Sequence, residues 1–446
     1  MMKHLFFLFL WIPTLVLGQV IDYRDIHISR AVNEISVANM QQTVDDLVGF
    51  HTRNNLSTKT DSQKGIGAAA TYLYNRLSEY AKTSDGRLTV ERVSYKASSA
   101  RIEGEVELEN IVATLRGTDS RMIGLSAHYD SRGGNGNDGT SFAPGANDDG
   151  SGVAALLEIA RIMSKQQTGG ASVKLMFLSG EEHGLWGATH QAKVAATAQW
   201  NLIALLNNDM IGNAEGSETA THDNTMVRVF SEGIPAAETD TQRQQRIANS
   251  AENDSPSRQL ARYIKEIGER YVENMTVQLI YRNDRFGRGG DHTPFAREGF
   301  PAVRITEINE NYDRTHQDIF ERDGIRYGDM PPGIDWEYLR KNTAVNLSTT
   351  ANLALSPFAP EAVVIDNAQR LTNIIELSWQ TPQQGKTPKG YYVLIRQTDV
   401  STWQRKIFIT NTHIALPLSK DNYFFAVQSV DEEGHESLPV FAVAKR

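Results

Sequence analysis

VKLMFLSGEEHG, residues 173–184, contains a short apolar run that leads into two adjacent glutamates and a glycine. An apolar run of this length, followed by turn residues, is typical of a buried strand. Similar runs recur along the chain, at 111–115, 123–127, 202–207 and 302–305. Helical spacing of apolar residues lies between several of them, most clearly over 153–163. Strands that alternate with helices predict an α/β fold whose central sheet is mostly parallel and is flanked by helices.

The segments on either side of these runs differ in character. Apolar residues at near-helical spacing over 28–47 and 65–80 predict two helices before the sheet. The polar segment 213–258 predicts a surface excursion or a lid over the sheet. Around residues 353–360 the sequence has the composition of a linker. Because 446 residues exceed what one hydrophobic core usually covers, we expect two domains, at 19–355 and 356–446.

The region after the linker contains short apolar runs separated by turn residues, and this pattern predicts a small all-β sandwich. It resembles a fibronectin type III module, with Trp379 in an early strand and Tyr423 in a late one. Both aromatic side chains are expected to pack in the core. We expect the sandwich to be a packing appendage that stabilises or shields the larger domain. Contact with a surface or a partner is the alternative, and a fold alone does not imply it.

The N-terminus, MMKHLFFLFLWIPTLVLGQ, has the order of a secretory signal. Lys3 and His4 precede an apolar run, and Gly18 offers a small residue at a cleavage point. The run is shorter than the roughly 20 residues that a membrane span requires, and no later stretch is long and apolar enough to be one. We therefore expect residues 1–18 to be a Sec-type signal and the protein to be exported, either periplasmic or secreted. A buried N-terminal helix is the alternative.

Two features of the composition limit the chemistry. The net charge of −9 gives no sign of the basic clustering that nucleic-acid binders carry, so no nucleic-acid partner is expected. The chain contains no cysteine. Disulfides, thiolate metal ligands and a cysteine nucleophile are therefore excluded. Any bound metal must be held by imidazole and carboxylate groups, which suits zinc at an open catalytic site.

Side chains that can bind metals follow several of the predicted strands. The segments that carry them are AHYDSRG at 127–133, GANDDGSG at 145–152, LSGEEHG at 178–184, NNDMIG at 207–212 and THQD at 315–318. In an open α/β sheet, ligands bind beyond the carboxyl ends of the strands. Folding alone does not require His128, Glu181, Glu182 and Asp209 at the same edge, so we predict a shared site there.

Each segment also has a simpler, local explanation. His128 and Asp130 alternate in an extended segment, so their side chains can share a face, and a carboxylate beside a metal-bound imidazole fixes its tautomer. A surface histidine beside a turn aspartate is the simpler explanation of that pair. Asp149 or Ser151 can cap the helix that follows. Asp148 is then free to bridge two cations.

Glu181 and Glu182 are adjacent, so their side chains diverge. One can bind a metal while the other faces the attacking water and acts as general base and then as acid. Two solvated surface charges are the usual explanation of such a pair, but here an apolar run leads directly into them. Asp209 ends the run LIALLNN and would by itself be an ordinary turn residue.

In combination and in order, these segments resemble the M28 metallopeptidases, the co-catalytic zinc aminopeptidases and their relatives, over residues 35–355. The resemblance implies a zinc-exopeptidase fold that holds two Zn²⁺ per chain. It implies Glu181 as the general base and Asp130 as the partner that orients His128. The implied metal ligands are His128, Asp148 as the bridging carboxylate, Glu182, Asp209 and His316.

The last ligand has two candidates, His292 in GGDHTPF and His316 in DRTHQD. The family pattern matches His316, with GGDHTPF shaping the substrate side of the pocket. Some members of the family carry a tyrosine before this ligand and use it to stabilise the tetrahedral intermediate. This chain has Thr315 there, so it departs from that pattern and the metals are expected to carry more of the stabilisation.

The resemblance thus implies an exported dizinc metallopeptidase that acts on peptide or protein substrates, with aminopeptidase activity preferred. A glutaminyl cyclase-like enzyme with one zinc is an alternative, although the GEEHG and NDDGSG segments fit a peptidase better. A non-catalytic binding protein on the same scaffold is another. The intact ligand set and the presence of Glu181 argue against that alternative.

Overall fold

The computed structural model describes residues 23–445 apart from 101, 103, 167 and 168. The predicted signal, residues 1–18, lies outside the described residues. Among the helices that are described, none has both the length and the apolar character that a membrane crossing requires.

Helices and strands alternate through the first three quarters of the described chain, and strands alone follow. The helices are α1 Ile26–Asn33, α2 Val37–Gly49, α3 Gly65–Lys82, α4 Gly150–Met163, α5 Trp186–Thr197, α6 Asp240–Ala248, α7 Pro256–Tyr271, α8 His292–Arg297 and α9 Trp336–Leu355. The strands before α9 are β1 Leu88–Ala97, β2 Val106–Leu115, β3 Met122–His128, β4 Ser172–Leu178, β5 Leu202–Asn208, β6 Met226–Ser231, β7 Thr276–Ile280, β8 Ala302–Glu307, β9 Phe320–Arg322 and β10 Ile325–Tyr327. The strands after α9 are β11 Glu361–Ile365, β12 Ile375–Gln380, β13 Gly390–Gln397, β14 Arg405–Ile409, β15 His413–Leu416, β16 Tyr423–Val430, β17 Val440–Phe441 and β18 Val443–Ala444.

Within the described residues the central sheet has eight strands, in the order β1-β2-β4-β3-β5-β8-β6-β7. Its four middle strands, β4, β3, β5 and β8, are parallel to one another. On one side β2 runs antiparallel to β4, and on the other β6 runs antiparallel to β8. The predicted α/β fold is confirmed, with the parallel strands in the middle of a mixed sheet.

Helices cover both faces of this sheet, and β4 illustrates the arrangement. Leu175 and Phe177 belong to a core that includes side chains of α4, α7 and α9, whereas Met176 and Leu178 belong to a second core that includes α5 and α8. Successive residues of a strand face opposite sides of the sheet. A strand that is covered on both sides therefore reads as a continuous apolar run, as the LMFL part of this sequence does.

The prediction of a single helix over 28–47 is wrong in one respect, because two helices occupy that segment. Ser36 begins α2 as its N-cap, and its hydroxyl accepts a hydrogen bond from the backbone N–H of Asn39 at 3.3 Å. The carboxylate of Glu158 in α4 accepts the backbone N–H of Ser36 at 2.7 Å. Serine favours such caps over helix interiors, so the chain breaks there although the apolar spacing continues. The second predicted helix corresponds to α3.

The prediction of a surface excursion or lid over 213–258 is wrong for part of that segment. Its residues 226–231 form β6, which lies inside the central sheet between β8 and β7. Val227 and Val229 in that strand are fully buried. Their alternation is short and lies between polar stretches, which conceals it in the sequence. By contrast, α6 in the same segment has no buried residue.

Two four-stranded sheets form the C-terminal part, in the orders β15-β12-β11-β18 and β14-β13-β16-β17. Trp379 of β12, Val393 of β13 and Phe425 of β16 belong to one core that both sheets share. The predicted all-β sandwich is confirmed, although β11 pairs with β18 in parallel. Tyr423 is only partly buried against this core.

Buried ion pairs join the sandwich to the α/β part of the molecule. Glu436, which follows β16, accepts hydrogen bonds from both terminal nitrogens of Arg270 in α7, each at 2.8 Å. Asp254 lies between Arg262 of α7, at 2.9 Å, and Arg396 of β13, at 2.6 Å. Charges that are withdrawn from water need close partners of opposite sign to offset their desolvation. These contacts pack the sandwich against the α/β part of the molecule.

Candidate metal centre

The carboxyl ends of β3, β4 and β5 meet at one edge of the sheet, and each carries predicted site residues. His128 is the last residue of β3, Asp209 directly follows β5, and Glu181 and Glu182 follow β4 after a two-residue turn. The three strands are adjacent and parallel, so their carboxyl ends bring these side chains together. Asp148 joins them from the turn that precedes α4.

The five predicted ligands lie close together, in two groups that share Asp148. In the first group, Nε2 of His128 lies 3.1 Å from Oδ1 of Asp148 and 3.9 Å from Oδ1 of Asp209. In the second, Nε2 of His316 lies 3.1 Å from Oδ2 of Asp148 and 3.0 Å from Oε1 of Glu182. Within each group the three candidate ligand atoms lie within 4.8 Å of one another. The two oxygens of Asp148 therefore face different imidazoles.

This donor set fits a metal ion on chemical and steric grounds. It consists of imidazole nitrogens and carboxylate oxygens, which are the ligands that zinc takes at catalytic sites. Nε2 of His128 is buried and makes no hydrogen bond within the described residues. An unsatisfied buried nitrogen beside two carboxylates is costly by itself, and a cation held by these groups removes that cost.

The pKa shifts of His128 and Asp148 show that these residues favour a positive charge near them. Burial lowers the pKa of His128, but the nearby carboxylates of Asp130 and Asp148 more than reverse this, so that its pKa lies well above the ordinary value. Burial raises the pKa of Asp148, but contacts with His128 and His316 hold it well below the ordinary value. The carboxylate thus stays ionised, as a metal ligand must be.

Asp149 holds the turn that presents Asp148. A cis peptide bond joins the two residues. As the N-cap of α4, the Asp149 side chain accepts a hydrogen bond from the backbone N–H of Gly152 at 3.0 Å. It also accepts the backbone N–H groups of His128, at 3.1 Å, and Met210, at 3.2 Å. Asp149 therefore fills the capping role, and Asp148 is left for the cluster.

Asp130 connects two of the strand ends. Its Oδ1 lies 3.5 Å from Nδ1 of His128, and its backbone oxygen lies 3.1 Å from the same nitrogen. Its carboxylate also accepts the backbone N–H groups of Glu181, at 3.3 Å, and Glu182, at 3.2 Å. The side-chain amide of Asn55 donates to Oδ2 at 2.6 Å. One carboxylate thus positions both an imidazole and the glutamate pair.

Glu181 lines a cleft of about 810 Å³ that Glu182 and His316 also line. Desolvation by burial raises the pKa of Glu181 well above its ordinary value, and the carboxylates of Asp209 and Glu182 raise it further against the opposing effect of His128. A carboxylate with a raised pKa that faces a cleft beside candidate metal ligands is suited to accept and return a proton.

The two histidine candidates for the last ligand occupy different places. His316 reaches the cluster from the loop between β8 and β9, whereas His292 is buried with Nε2 2.7 Å from the backbone oxygen of Asn283. His292 belongs to neither group of candidate ligands around Asp148. The hydroxyl of Thr315, before His316, donates to the backbone oxygen of Asn311 at 3.2 Å.

Sequence reasoning missed three residues that support the site. Arg304 is fully buried in β8 and lies 3.0 Å from Oδ1 of Asp209. Asp329 accepts the backbone N–H of Asp148 at 2.7 Å, and Asn55 binds Asp130 as described above. An arginine inside an apolar strand run was the one available signal for Arg304. Asn55 and Asp329 carry no local signal.

An α/β sheet that gathers imidazoles and carboxylates at the carboxyl ends of its strands is the arrangement of a metal-dependent hydrolase. The chain belongs to peptidase family M28, a family of metallopeptidases. The profile of Peptidase family M28 matches residues 110–328. A probable zinc metalloprotease of Leptosphaeria maculans is 39% identical, over 93% of this chain and 96% of that protein. A probable zinc metalloprotease of Pyrenophora tritici-repentis is 38% identical, over 92% of this chain and 85% of that protein.

Solved structures of similar fold include the LapA aminopeptidase of Legionella pneumophila. The TM-score is 0.53 and the sequence identity is 18%, over 75% of this chain and 76% of that one. LapB from the same organism has a TM-score of 0.52 at 16% identity, over 76% of this chain and 78% of that one. At this level of identity the likeness concerns the fold.

Proposed function

We propose that the protein is an exported zinc metallopeptidase that binds two zinc ions and releases N-terminal residues from peptides. The observation that carries the proposal is the position of Asp148, whose two oxygens each lie 3.1 Å from a different imidazole nitrogen. Two groups of ligands that share one carboxylate suit a pair of metal ions. The relatives from Leptosphaeria maculans and Pyrenophora tritici-repentis are named as probable zinc metalloproteases, which supports the choice of metal.

In this proposal each zinc ion takes three protein ligands, with Asp148 common to both. His128 and Asp209 complete the first site, and Glu182 and His316 complete the second. A bound zinc pair lowers the pKa of water and polarises a carbonyl group. Three protein ligands for each ion would leave positions for water and substrate, as at catalytic zinc sites.

The side chains of the protein supply the proton transfers. Glu181 takes a proton from the attacking water and delivers it to the leaving nitrogen as the peptide bond breaks, so that the leaving group departs as an amine. Its raised pKa supports both steps, because a base and an acid are most effective when their pKa lies near the working pH. Asp130 keeps His128 in the orientation and tautomer that present Nε2 to the metal side.

The preference for N-terminal residues has two supports. The residues of the site resemble those of the co-catalytic zinc aminopeptidases, and LapA, which has a similar fold, is described as an aminopeptidase. In addition, the buried carboxyl group of Asp291 lies close enough to Glu181 to raise its pKa, and it makes no hydrogen bond within the described residues. Burial raises the pKa of Asp291 to about 8, and a nearby α-ammonium group of the substrate favours its ionised form, which supports a substrate with a free N-terminus.

Export and domain organisation complete the proposal. Residues 1–18 are the signal, residues 19–355 form the peptidase domain, and residues 356–446 form a fibronectin type III-like sandwich. The protein then acts in the periplasm or outside the cell. The buried pairs of Glu436 with Arg270 and of Asp254 with Arg396 support a packing role for the sandwich, in place of contact with a surface or a partner.

The test compares leucyl-aminomethylcoumarin with its N-acetylated form, using protein whose zinc content has been measured. We expect hydrolysis of the free amine only, loss of activity with a chelator, and recovery when two equivalents of zinc return. Equal cleavage of the blocked substrate would exclude an aminopeptidase. One tightly bound zinc together with pyroglutamate formation from glutaminyl substrates would indicate a cyclase.

A further inference from the structure

We propose that the cleft beside Glu181 binds a carboxylate of the substrate through Arg132, Arg285 and Arg288, so that the enzyme prefers acidic substrates. This inference rests on the proposed function, because it names the substrate class of the same site. The carboxylate belongs either to an acidic residue that flanks the scissile bond or to the free C-terminus of a short peptide. Both sources present the same chemistry to a guanidinium group.

The charged lining of the cleft is divided between two kinds of residue. Its acidic members are Glu181 and Glu182, the proposed base and a proposed ligand, whereas its arginines are Arg132, Arg285 and Arg288. The cleft therefore has a carboxyl-lined side at the proposed metal centre and a positive side formed by three guanidinium groups. A short peptide with an ammonium group at one end and a carboxylate near the other matches this distribution.

Arg132 carries a charge that no carboxylate of the described residues balances at close range. Among the described residues, its guanidinium donates to backbone oxygens alone, those of Gly133 at 3.2 Å and Gly134 at 3.3 Å. Asp318, which reaches this loop from the segment between β8 and β9, accepts the backbone N–H of Gly134 at 3.0 Å. Arg132 is two residues from Asp130, so the loop that orients His128 also holds this guanidinium at the cleft.

Arg285 and Arg288 line the cleft from another segment, in which arginines outnumber the carboxylates that contact them. Glu310 lies 2.8 Å from Arg228, 3.1 Å from Arg285 and 3.9 Å from Arg288. The other acidic partner of Arg285 is Asp284, at 3.3 Å. Arg304 also lies 3.5 Å from Asp284. Two carboxylates thus face four guanidinium groups, and Arg288 has only the long contact of 3.9 Å.

Surface arginines often serve only to keep a protein soluble, and that is the simpler explanation here. Two observations weigh against it. Arg285 is nearly buried, with 9% of its side chain exposed, and it still lines the cleft. Guanidinium groups from two separate loops also converge on the same cleft as the proposed base. Planar guanidinium groups bind carboxylates with two parallel hydrogen bonds, so such a group of arginines suits an anionic substrate group.

Three matched pairs of substrates test the proposal and identify the source of the carboxylate. Aspartyl- and asparaginyl-aminomethylcoumarin differ in the released residue. Leucyl-aspartate amide and leucyl-asparagine amide differ in the residue after the scissile bond. Leucyl-alanine and its C-terminal amide differ only in the terminal carboxylate. In at least one pair we expect the acidic member to have a kcat/KM about tenfold higher, which corresponds to roughly 1.4 kcal/mol.

Arginine variants then connect the preference to the cleft. Arg132→Gln and Arg288→Gln should each lower the acidic-to-neutral ratio of kcat/KM severalfold, and the double variant should bring it close to one. Arg282→Gln is the matched control, because Arg282 lies in the same segment, is exposed, and contacts the ring of Phe286. It should leave the ratio unchanged. Added salt should also reduce the ratio in the unmodified enzyme, since partly exposed charges are screened.

Ratios within twofold of one for all three pairs would overturn the proposal, as would a ratio that both cleft variants leave unchanged. If no peptide is hydrolysed, the proposed function fails separately, and calorimetry on the zinc-loaded Glu181→Gln variant decides the binding question without turnover. Tighter binding of leucyl-aspartate amide or leucyl-alanine than of the neutral partner, lost in the Arg132→Gln background, would then support the carboxylate site. Equal binding would contradict it.

Discussion

The carboxylate of Asp130 accepts the backbone N–H of Glu182 at 3.2 Å. This contact joins the loop after β3 to the loop after β4, so the end of one strand fixes the backbone of the other. Oδ1 of the same carboxylate lies 3.5 Å from Nδ1 of His128. The orientation of a candidate ligand and the position of the proposed base therefore depend on one side chain.

Asp130→Asn should weaken the site without unfolding the protein. The substitution replaces one oxygen by an amino group, so the side chain loses either the N–H of Glu181 at Oδ1 or those of Asn55 and Glu182 at Oδ2. Replacement of such supporting groups typically costs about 10–100-fold in metal affinity or activity. Zinc titration and kcat/KM measure the effect, and Asp240→Asn, at an exposed carboxylate of α6, is the control. Unchanged zinc affinity and activity would show that Asp130 does not position the site.

Glu181→Gln should keep the zinc content and lose turnover. The amide has nearly the same shape but cannot accept a proton, so we expect kcat to fall about 10²–10⁴-fold. Elemental analysis and kinetics on the same preparation separate the two effects. The exposed Glu376 of β12 provides a control, as Glu376→Gln. If the Glu181 variant loses zinc together with activity, Glu181 is a ligand and the base lies elsewhere.

Glu436→Gln should destabilise the protein, because it weakens the contact between the C-terminal sandwich and the α/β part. The variant leaves the buried guanidinium of Arg270 and the ammonium of Lys406 with less negative charge. Removal of one partner from a buried ion pair costs about 3–5 kcal/mol. Thermal unfolding measures this, and Glu376→Gln, which breaks a surface pair with Arg370, should cost under about 1 kcal/mol. Equal unfolding temperatures for both variants would argue against a packed sandwich.

His435 should make stability depend on pH. Its Nδ1 lies 2.8 Å from Asp431 and its Nε2 lies 2.7 Å from Asp25. Burial lowers the pKa of His435, but these carboxylates outweigh it and raise the pKa above the ordinary value. Because the folded pKa is raised, the stabilising contribution is complete below the unfolded value of about 6.5 and disappears as the pH rises through the folded pKa.

The variant His435→Gln isolates this contribution. The difference in unfolding free energy between the unmodified protein and the variant should be largest below the ordinary histidine pKa of about 6.5 and should shrink as the pH rises above it. Chemical denaturation at a series of pH values measures it. A difference that stays constant over this range would mean that His435 does not carry a proton in the folded state.

The part of the site that follows from strand ends was predictable from the sequence. The run 173–178 is mostly apolar because both faces of β4 are covered. The residues that follow this strand lie at its carboxyl end, which is the edge of the sheet where ligands bind. His128 and Asp209 follow from the same argument. The C-terminal sandwich was predictable in a similar way, from the short strands and the turn residues between them.

Long-range contributions were not predictable from local patterns. His316 lies in a loop and has a positive φ of 56°. Only the family resemblance connected this residue to Asp148. Arg304 and Asp329 reach the centre through tertiary contacts that periodicity does not report. The break at Ser36 depends on a carboxylate from α4. In each of these cases the partner lies far away in the sequence.

The central claim is that Asp148 bridges two metal ions, one beside His128 and Asp209 and the other beside Glu182 and His316. Crystals of the zinc-loaded protein, measured at the zinc absorption edge, test this claim most directly. Two anomalous peaks about 3.5–4 Å apart, one on each side of the Asp148 carboxylate, are the predicted result. A single peak, or peaks that do not contact Asp148, would contradict it.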